Sequence, residues 1–448
     1  MNRDLLRNLC AVGAAALLVV TAALVGTGIQ RDSGTLRVNW PPLLANWLPH
    51  VGPGTPAALA VAVAVVTYGP SLAARLPWRA LLATAWGTAT AWTFSLALVD
   101  GWQRGIAGRL TTRHEYLQVI DRFDDIPATL RDFTHHILLD SPDNWPAHVA
   151  GHPPGATVTF VLLDRIGLGG GAWAGMWCIV VGATAATAVL VTVRALADES
   201  LARRAAPFLV LSPAAVWAGT SADGYFAAVV AWTIAFLALA VTGHRPRATG
   251  LAAGLLLGLT CYLSYGLTLF AVLATTVLLL GTHRRRPLPY VLAGLTVVPL
   301  LFTLLGFNWW EAYHLLVDRY YQGAGGVRPY GYWVWANLAC TAIIVGPAGA
   351  AALPEAALAA PFTSPTRTRT RTRTLEPQPR LALLVFAALL MVLIADLSGM
   401  SKAETERIWL PFAMWLLPAC AFLTHPRAWL TAQATLALLI NHLLLTAW

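Results

Sequence analysis

The apolar residues of this chain fall into blocks of about 20, the length of helix that crosses the hydrocarbon core of a bilayer. That feature removes most soluble folds. Hydrophobic residues make up 57% of the sequence and charged residues 11%, against roughly 25% charge in an ordinary soluble domain. Backbone groups inside lipid must satisfy one another, so the blocks read as helices, and the alternating strands of a membrane barrel are missing. The expected fold is an all-α polytopic membrane protein with about 13 transmembrane helices, in a range of about 11 to 13. The first run covers 9–27 and the last 428–447, and those at 205–218 and 267–281 are short.

Arginine placement gives the expected orientation. With Arg3 and Arg7 in the cytoplasm, Arg75, Arg79, Arg194, Arg203, Arg204, Arg245, Arg247, Arg284 to Arg286, the 367–380 cluster and Arg427 fall on the same side, as positive charge does in cytoplasmic loops. The expected location is the cell (cytoplasmic) membrane, with the N-terminus inside and the C-terminus outside. The N-terminal run reads as a retained signal anchor, because more spans follow and no small-residue cleavage site stands out. The net charge of +9 suits arginines facing anionic lipid, so membrane lipid, not nucleic acid, is the expected partner. Cys10, Cys178, Cys261, Cys340 and Cys420 all lie in apolar runs and form neither a disulfide framework nor a CxxC pattern. "TRTRTRTRT", 366–374, reads as low-complexity sequence in a disordered cytoplasmic linker over 361–380.

The polar residues gather on the opposite side. Segment 100–154 is the longest stretch without a span. It carries Asp100, Glu115, Asp121, Asp124, Asp125, Asp132, Asp140 and Asp143, eight of the 21 acids, together with His114, His135, His136, His148 and His152. "EYLQVIDRF" and "LRDFTHHILLD" repeat apolar residues at helical spacing and suit helices lying at the membrane interface. A loop of this length in a compact chain usually serves a function. On the same side, "TSADGYF" places Asp223 in a turn between helices. "FNWWEAYHLLVDRYYQGAGGVRPYGYW" supplies Trp309, Trp310 and several charges. "GMSKAETERIWLPF" supplies Lys402, Glu404, Glu406 and Arg407.

These residue types suit the attack of a hydroxyl on a sugar linked to a lipid phosphate. An acid can act as general base, and acids can hold a divalent cation through oxygen. Arginine can clamp a phosphate with its fork of donors. Either the cation or the arginine would stabilise the departing phosphate. Each residue also has a plainer reading. Asp100 can end a span, Glu115 can lie on a solvated helix face, and Asp223-Gly224 is a common turn pair. His152 can fix the loop before the two prolines. Arg407 can snorkel to the interface, as Trp309 and Trp310 can anchor there. Adjacent His135 and His136 point in different directions on a helix and do not suit a zinc site.

The order of motifs resembles GT-C-type integral membrane glycosyltransferases, the group of protein O-mannosyltransferases, aminoarabinose transferases and actinobacterial mannosyl- and arabinosyltransferases. The matching elements, over about 80–240, are Asp100 or Glu115-Tyr116, "GHPPG", the segment 156–167, the run 172–192 with Arg194, "LVLSP" and "SADG". "ETERIWLPF" resembles an acid-and-arginine loop of some members. The resemblance implies that "HPPG" opens a juxtamembrane helix over 156–167, and a proline suits the first turn of a helix. That segment is too short to span, and keeping it on the surface preserves the arginine pattern.

The resemblance implies transfer of a sugar from a polyprenyl-phosphate-linked donor to an extracytoplasmic glycan, lipid or protein. Glu115 or Asp100 would act as base. His152, Arg407, Glu404, Glu406, Lys402, Trp309 and Trp310 would bind substrate, and Asp223 with Asp100 would hold a divalent cation, Mg2+ or Mn2+, where one is used. The expected layout is N-terminal spans over 1–79, a core over 80–306 containing loop 100–154 and helix 156–167, and C-terminal spans over 307–448 with external loops 307–330 and 399–407. A lipid or glycolipid transporter and a degenerate GT-C scaffold are the alternatives. A transporter is expected to carry inverted repeats and charges at the bilayer midplane, and neither is visible in the sequence.

Overall fold

A computed structural model of the chain describes residues 3–361 and 375–447. It is helical almost throughout. Among the described residues the two strands, Ala45–Trp47 and Leu444–Thr446, are short and pair antiparallel with each other. Among the described residues, seven helices are long and apolar enough to cross a membrane: Arg3–Ser33, Thr55–Arg75, Trp78–Asp100, Gly171–Leu196, Ala222–Val241, Tyr330–Ala359 and Pro377–Leu397. An eighth arises if Leu288–Leu304 and Trp309–Gln322 count as one span bent by 77°.

Prolines explain where the shorter apolar runs stop. The run expected at 205–218 is helical in Glu199–Val210 and ends at Leu211, before Pro213. The run at 408–423 divides into the turns Leu410–Ala413 and Leu417–Phe422, each with a proline near its start. Proline lacks the amide that a continuing helix needs. The run at 267–281 is a short turn followed by the helix Phe270–Leu280. Helix Pro377–Leu397 begins inside the linker expected over 361–380, so 377–380 are helical. The "TRTRTRTRT" repeat, 366–374, lies outside the described residues.

Two packing devices hold the bundle. Gly250, Gly254 and Gly258 lie along one face of helix Pro246–Leu263, against the backbone of helix Leu288–Leu304. Small residues four apart let helix backbones approach closely where lipid supplies no hydrophobic drive. Helix Tyr330–Ala359 breaks at Gly346, whose φ of 71° lies in the left-handed region, just before Pro347. Gln433, fully buried, repairs the break. Its amide nitrogen donates to Val345 O at 2.9 Å, and its oxygen accepts from Ala348 N at 3.2 Å.

The segment between the third and fourth spans folds back on itself in short helical turns. Trp145 sits at its centre, 1% exposed, packed against Phe123 and Phe133, with Arg122 3.6 Å from its ring. Arg165, at the end of helix Gly155–Arg165, donates to Phe123 O and Asp124 O at 2.8 Å each. Arg319, on helix Trp309–Gln322, donates to Ile137 O at 2.6 Å and Trp145 O at 2.9 Å. These arginines join backbone carbonyls that no regular helix satisfies. They fix the loop that carries Glu115 and His148.

Candidate active site

Glu115 is placed by a backbone contact. His148 N donates to His114 O at 3.0 Å, so the 114 and 148 segments run side by side. The next residue, Glu115, then faces the His148 ring, with Oε2 2.9 Å from Nδ1. Tyr116 continues the contact. Its ring stacks on Phe160 at 5.4 Å, and its hydroxyl lies 3.1 Å from His152 Nδ1. The "HPPG" element does what a helix start requires. Pro153 and Pro154 lead into helix Gly155–Arg165, and their carbonyls accept from Ala156 and Val158. At Gly155 a Cβ would lie 2.5 Å from Tyr262 O, so only glycine permits this close approach.

Asp223 arrives from the start of helix Ala222–Val241. Ser221 caps that helix by accepting from Asp223 N at 3.1 Å, and its hydroxyl also donates to Asp223 Oδ2 at 3.1 Å. Arg407 arrives from the turn Thr405–Ile408. Its Nη1 donates to Asp223 Oδ2 at 2.5 Å, and its Nη2 lies 3.4 Å from His148 Nε2 and 3.8 Å from Glu404 Oε2. Arg328 binds the other oxygen of Glu404 at 3.3 Å. Just before the turn, Ala403 and Glu404 adopt φ of 72° and 63°. Two successive non-glycine residues in that region store strain of a kind found at functional sites.

The charges of this cluster are shielded from solvent. Glu115, Asp223 and Arg407 are each 5% exposed. Burial alone would lower the Arg407 guanidinium, but Asp223, Glu404 and Glu115 outweigh it and hold it above its ordinary value. His152 is different. A carbonyl oxygen only accepts, so Nδ1, 2.8 Å from His148 O, carries the ring hydrogen. Burial pushes its pKa down to about 4, against the pull of Asp223, and the ring stays neutral. Burial likewise pushes the Tyr116 hydroxyl well above its usual range.

The other residues singled out in the sequence lie elsewhere or face away. Asp100 sits in an adjoining pocket lined also by Arg109, Thr220 and Thr446. Its Oδ1 is 2.8 Å from His50 Nε2, and its Oδ2 is 3.2 Å from Arg109 and 3.7 Å from Arg104. Arg109 also donates to Ala447 O at 2.7 Å, tying this pocket to the C-terminal strand. Burial lowers the Arg109 pKa to about 10. Lys402 Nζ donates to Gly325 O at 2.8 Å and lies 5.3 Å from the Tyr321 ring. Glu406 is fully buried. It accepts from Leu44 N at 3.0 Å through Oε1, while Oε2 has no hydrogen-bond partner. Trp309 stacks on Tyr313 and donates to Cys261 O, and Trp310 is 70% exposed.

The donor set does not suit the divalent cation expected at Asp223 and Asp100. Among the described residues no three His, Cys, Asp or Glu side chains converge. Asp223 is bound by the Arg407 guanidinium, and Asp100 by His50 and Arg109. An oxygen site for Mg2+ or Mn2+ needs several free oxygen ligands directed at one point.

Sequence reasoning did not assign a role to His148, His50, Arg109, Arg319 or Arg328. Only His148 carried a local signal. It stands four residues before His152 in "HVAGH", one turn apart on a helix. The others are defined by contacts with segments far away in sequence.

No family model matches the chain, and no curated protein matches it. It is similar to two solved structures of an oligosaccharyltransferase from Archaeoglobus fulgidus. One, a complex with Zn and sulfate, is 16% identical with a TM-score of 0.41, covering 79% of this chain and 53% of that one. The other, tethered to an acceptor peptide containing an NVT sequon, is 13% identical with a TM-score of 0.39, covering 80% of this chain and 55% of that one. The chain thus spans about half the length of these structures.

Proposed function

We propose that this protein is a membrane glycosyltransferase of the GT-C type, moving a sugar from a polyprenyl-phosphate-linked donor to an extracytoplasmic glycan, lipid or protein. The observation that carries the reading is the position of Arg407. Its buried guanidinium faces Asp223, Glu404 and His148, and the His148 ring in turn lies 2.9 Å from Glu115. A cation that binds a leaving phosphate thus adjoins a carboxylate–imidazole pair able to take a proton.

In the reaction the acceptor hydroxyl attacks the anomeric carbon of the donor sugar. Its proton passes to the Glu115–His148 pair. The bond from the anomeric carbon to phosphate oxygen breaks, and the electron pair leaves with the polyprenyl phosphate. Arg407 stabilises the charge that develops on that oxygen, which a preorganised donor in a site of low polarity does effectively. Asp223 and Glu404 hold the guanidinium in place. Asp100, engaged by His50 and Arg109, acts as a latch rather than as the base.

The test is to reconstitute the purified chain in vesicles with labelled polyprenyl-phosphate mannose, arabinose and glucose, and a membrane extract as acceptor. The expected result is transfer of one label, together with release of polyprenyl phosphate. It is abolished in Asp223→Ala and Arg407→Ala. Release from none of the donors overturns the reading, and undiminished transfer in Glu115→Ala and Asp223→Ala removes the site assignment.

A further inference from the structure

We infer that His148, set beside Glu115, is the base that takes the proton of the acceptor hydroxyl. This rests on the glycosyl-transfer reading above. The geometry assigns the tautomer. An arginine fork only donates, so Arg407 Nη2, 3.4 Å away, requires a bare His148 Nε2. The hydrogen is then on Nδ1, which lies 2.9 Å from Glu115 Oε2. This is the arrangement a histidine base needs, with one nitrogen bearing no hydrogen and a carboxylate 2.9 Å from the other to stabilise the cation formed.

The contact between Arg407 and Nε2 is long for a hydrogen bond. A hydroxyl oxygen entering between them replaces a weak contact with a good one. The groups facing His148 are Glu115 and Arg407, with His114, Tyr116 and His152 around it and Glu404 behind Arg407.

The step balances. The acceptor O–H bond breaks and its proton joins Nε2. The oxygen forms a bond to the anomeric carbon, and the bond to phosphate oxygen breaks. The polyprenyl phosphate departs with the electron pair. His148 then returns its proton to solvent or to the departing phosphate. Glu115 is a positioning residue.

The test uses the full chain in vesicles with the labelled polyprenyl-phosphate sugar that the wild type consumes. Release of polyprenyl phosphate is read with water or membrane extract as acceptor, and thermal unfolding checks each variant. His148→Gln is expected to turn over about 100-fold more slowly, the usual scale of a general base. Added imidazole restores part of the rate in His148→Ala. Glu115→Gln keeps the base but loses the partner of its charged form. Its rate falls about 10-fold, and the acid limb of its pH profile moves to lower pH.

Turnover of His148→Gln within about fivefold of wild type overturns the assignment, and an inactive Glu115→Gln beside it makes Glu115 the base. An unmoved acid limb in Glu115→Gln overturns it as well. A wild type that consumes no donor is a different failure, that of the glycosyl-transfer reading itself.

Discussion

Arg407 Nη1 lies 2.5 Å from Asp223 Oδ2, an ion pair between side chains 184 residues apart in sequence and almost hidden from solvent. A buried pair of this kind is weak evidence for stability, because desolvation cancels much of the attraction. Its value lies in fixing a guanidinium at one point. Removing one partner is costly, since the other charge stays behind. Asp223→Ala is expected to destabilise the protein by about 3–5 kcal/mol, read as a lower apparent Tm in detergent. Arg407→Lys keeps the charge but loses the fork that reaches Asp223, Glu404 and His148 together. It is expected to stay folded and to transfer sugar about 100-fold more slowly. A lysine variant with wild-type turnover would remove the fork from the mechanism.

The same pair bears on metal dependence. Asp223 is already neutralised by Arg407, and Asp100 is paired with Arg109 and contacts His50. A divalent ion would have to displace a guanidinium held by two carboxylates. Treatment with a chelator is therefore expected to leave sugar transfer within about twofold, and added Mg2+ or Mn2+ to leave the apparent Tm unmoved. A metal-dependent rate would mean that the cluster rearranges when substrate binds.

Much of this architecture is legible in the sequence, and the rest is hidden for identifiable reasons. Apolar blocks of bilayer length announce helices, and "HPPG" announces the start of the one at Gly155–Arg165. Span ends are harder to read. Pro213, Pro411 and Pro418 interrupt runs that are apolar on both sides, and hydropathy averages across them. Glu115, Asp223 and Arg407 stand out one at a time as charges beside apolar sequence, but nothing local says that they meet. His148 has only the weak local signal of "HVAGH", because Glu115 lies 33 residues before it and Arg407 259 after it. Asp100 has the reverse history. It ends a span as a catalytic acid might, yet His50 and Arg109 engage both of its oxygens.

That engagement makes Asp100 a test of structure against chemistry. Asp100→Asn keeps the shape but loses the charge that binds His50, Arg104 and Arg109. The loop at 50, the turn at 109 and the C-terminal strand are joined there. The variant is expected to lower the apparent Tm, while turnover measured well below that temperature stays within about fivefold. A loss of about 100-fold in a folded variant would return Asp100 to the reacting groups.

Glu406 gives a pH dependence with a definite sign. Burial, the largest effect, raises its pKa to about 7, although the hydrogen bond from Leu44 N acts the other way. The folded state therefore holds a proton that the unfolded state, near the ordinary value of about 4.3, has released. Between those two values the folded form binds more protons, so this residue's contribution to stability falls as pH rises and is lost above about 7. Glu406→Gln keeps the neutral shape at every pH. The comparison that matters is variant against wild type, because His152 contributes in the opposite sense: its pKa of about 4 costs stability as acid protonates the unfolded chain. At about pH 4 the glutamine variant and wild type are expected to unfold at similar temperatures. By about pH 8 the variant is expected to be the more stable, by an amount of order 1–3 kcal/mol. A difference in Tm that stays constant across this range would show that Glu406 remains ionised in its buried site.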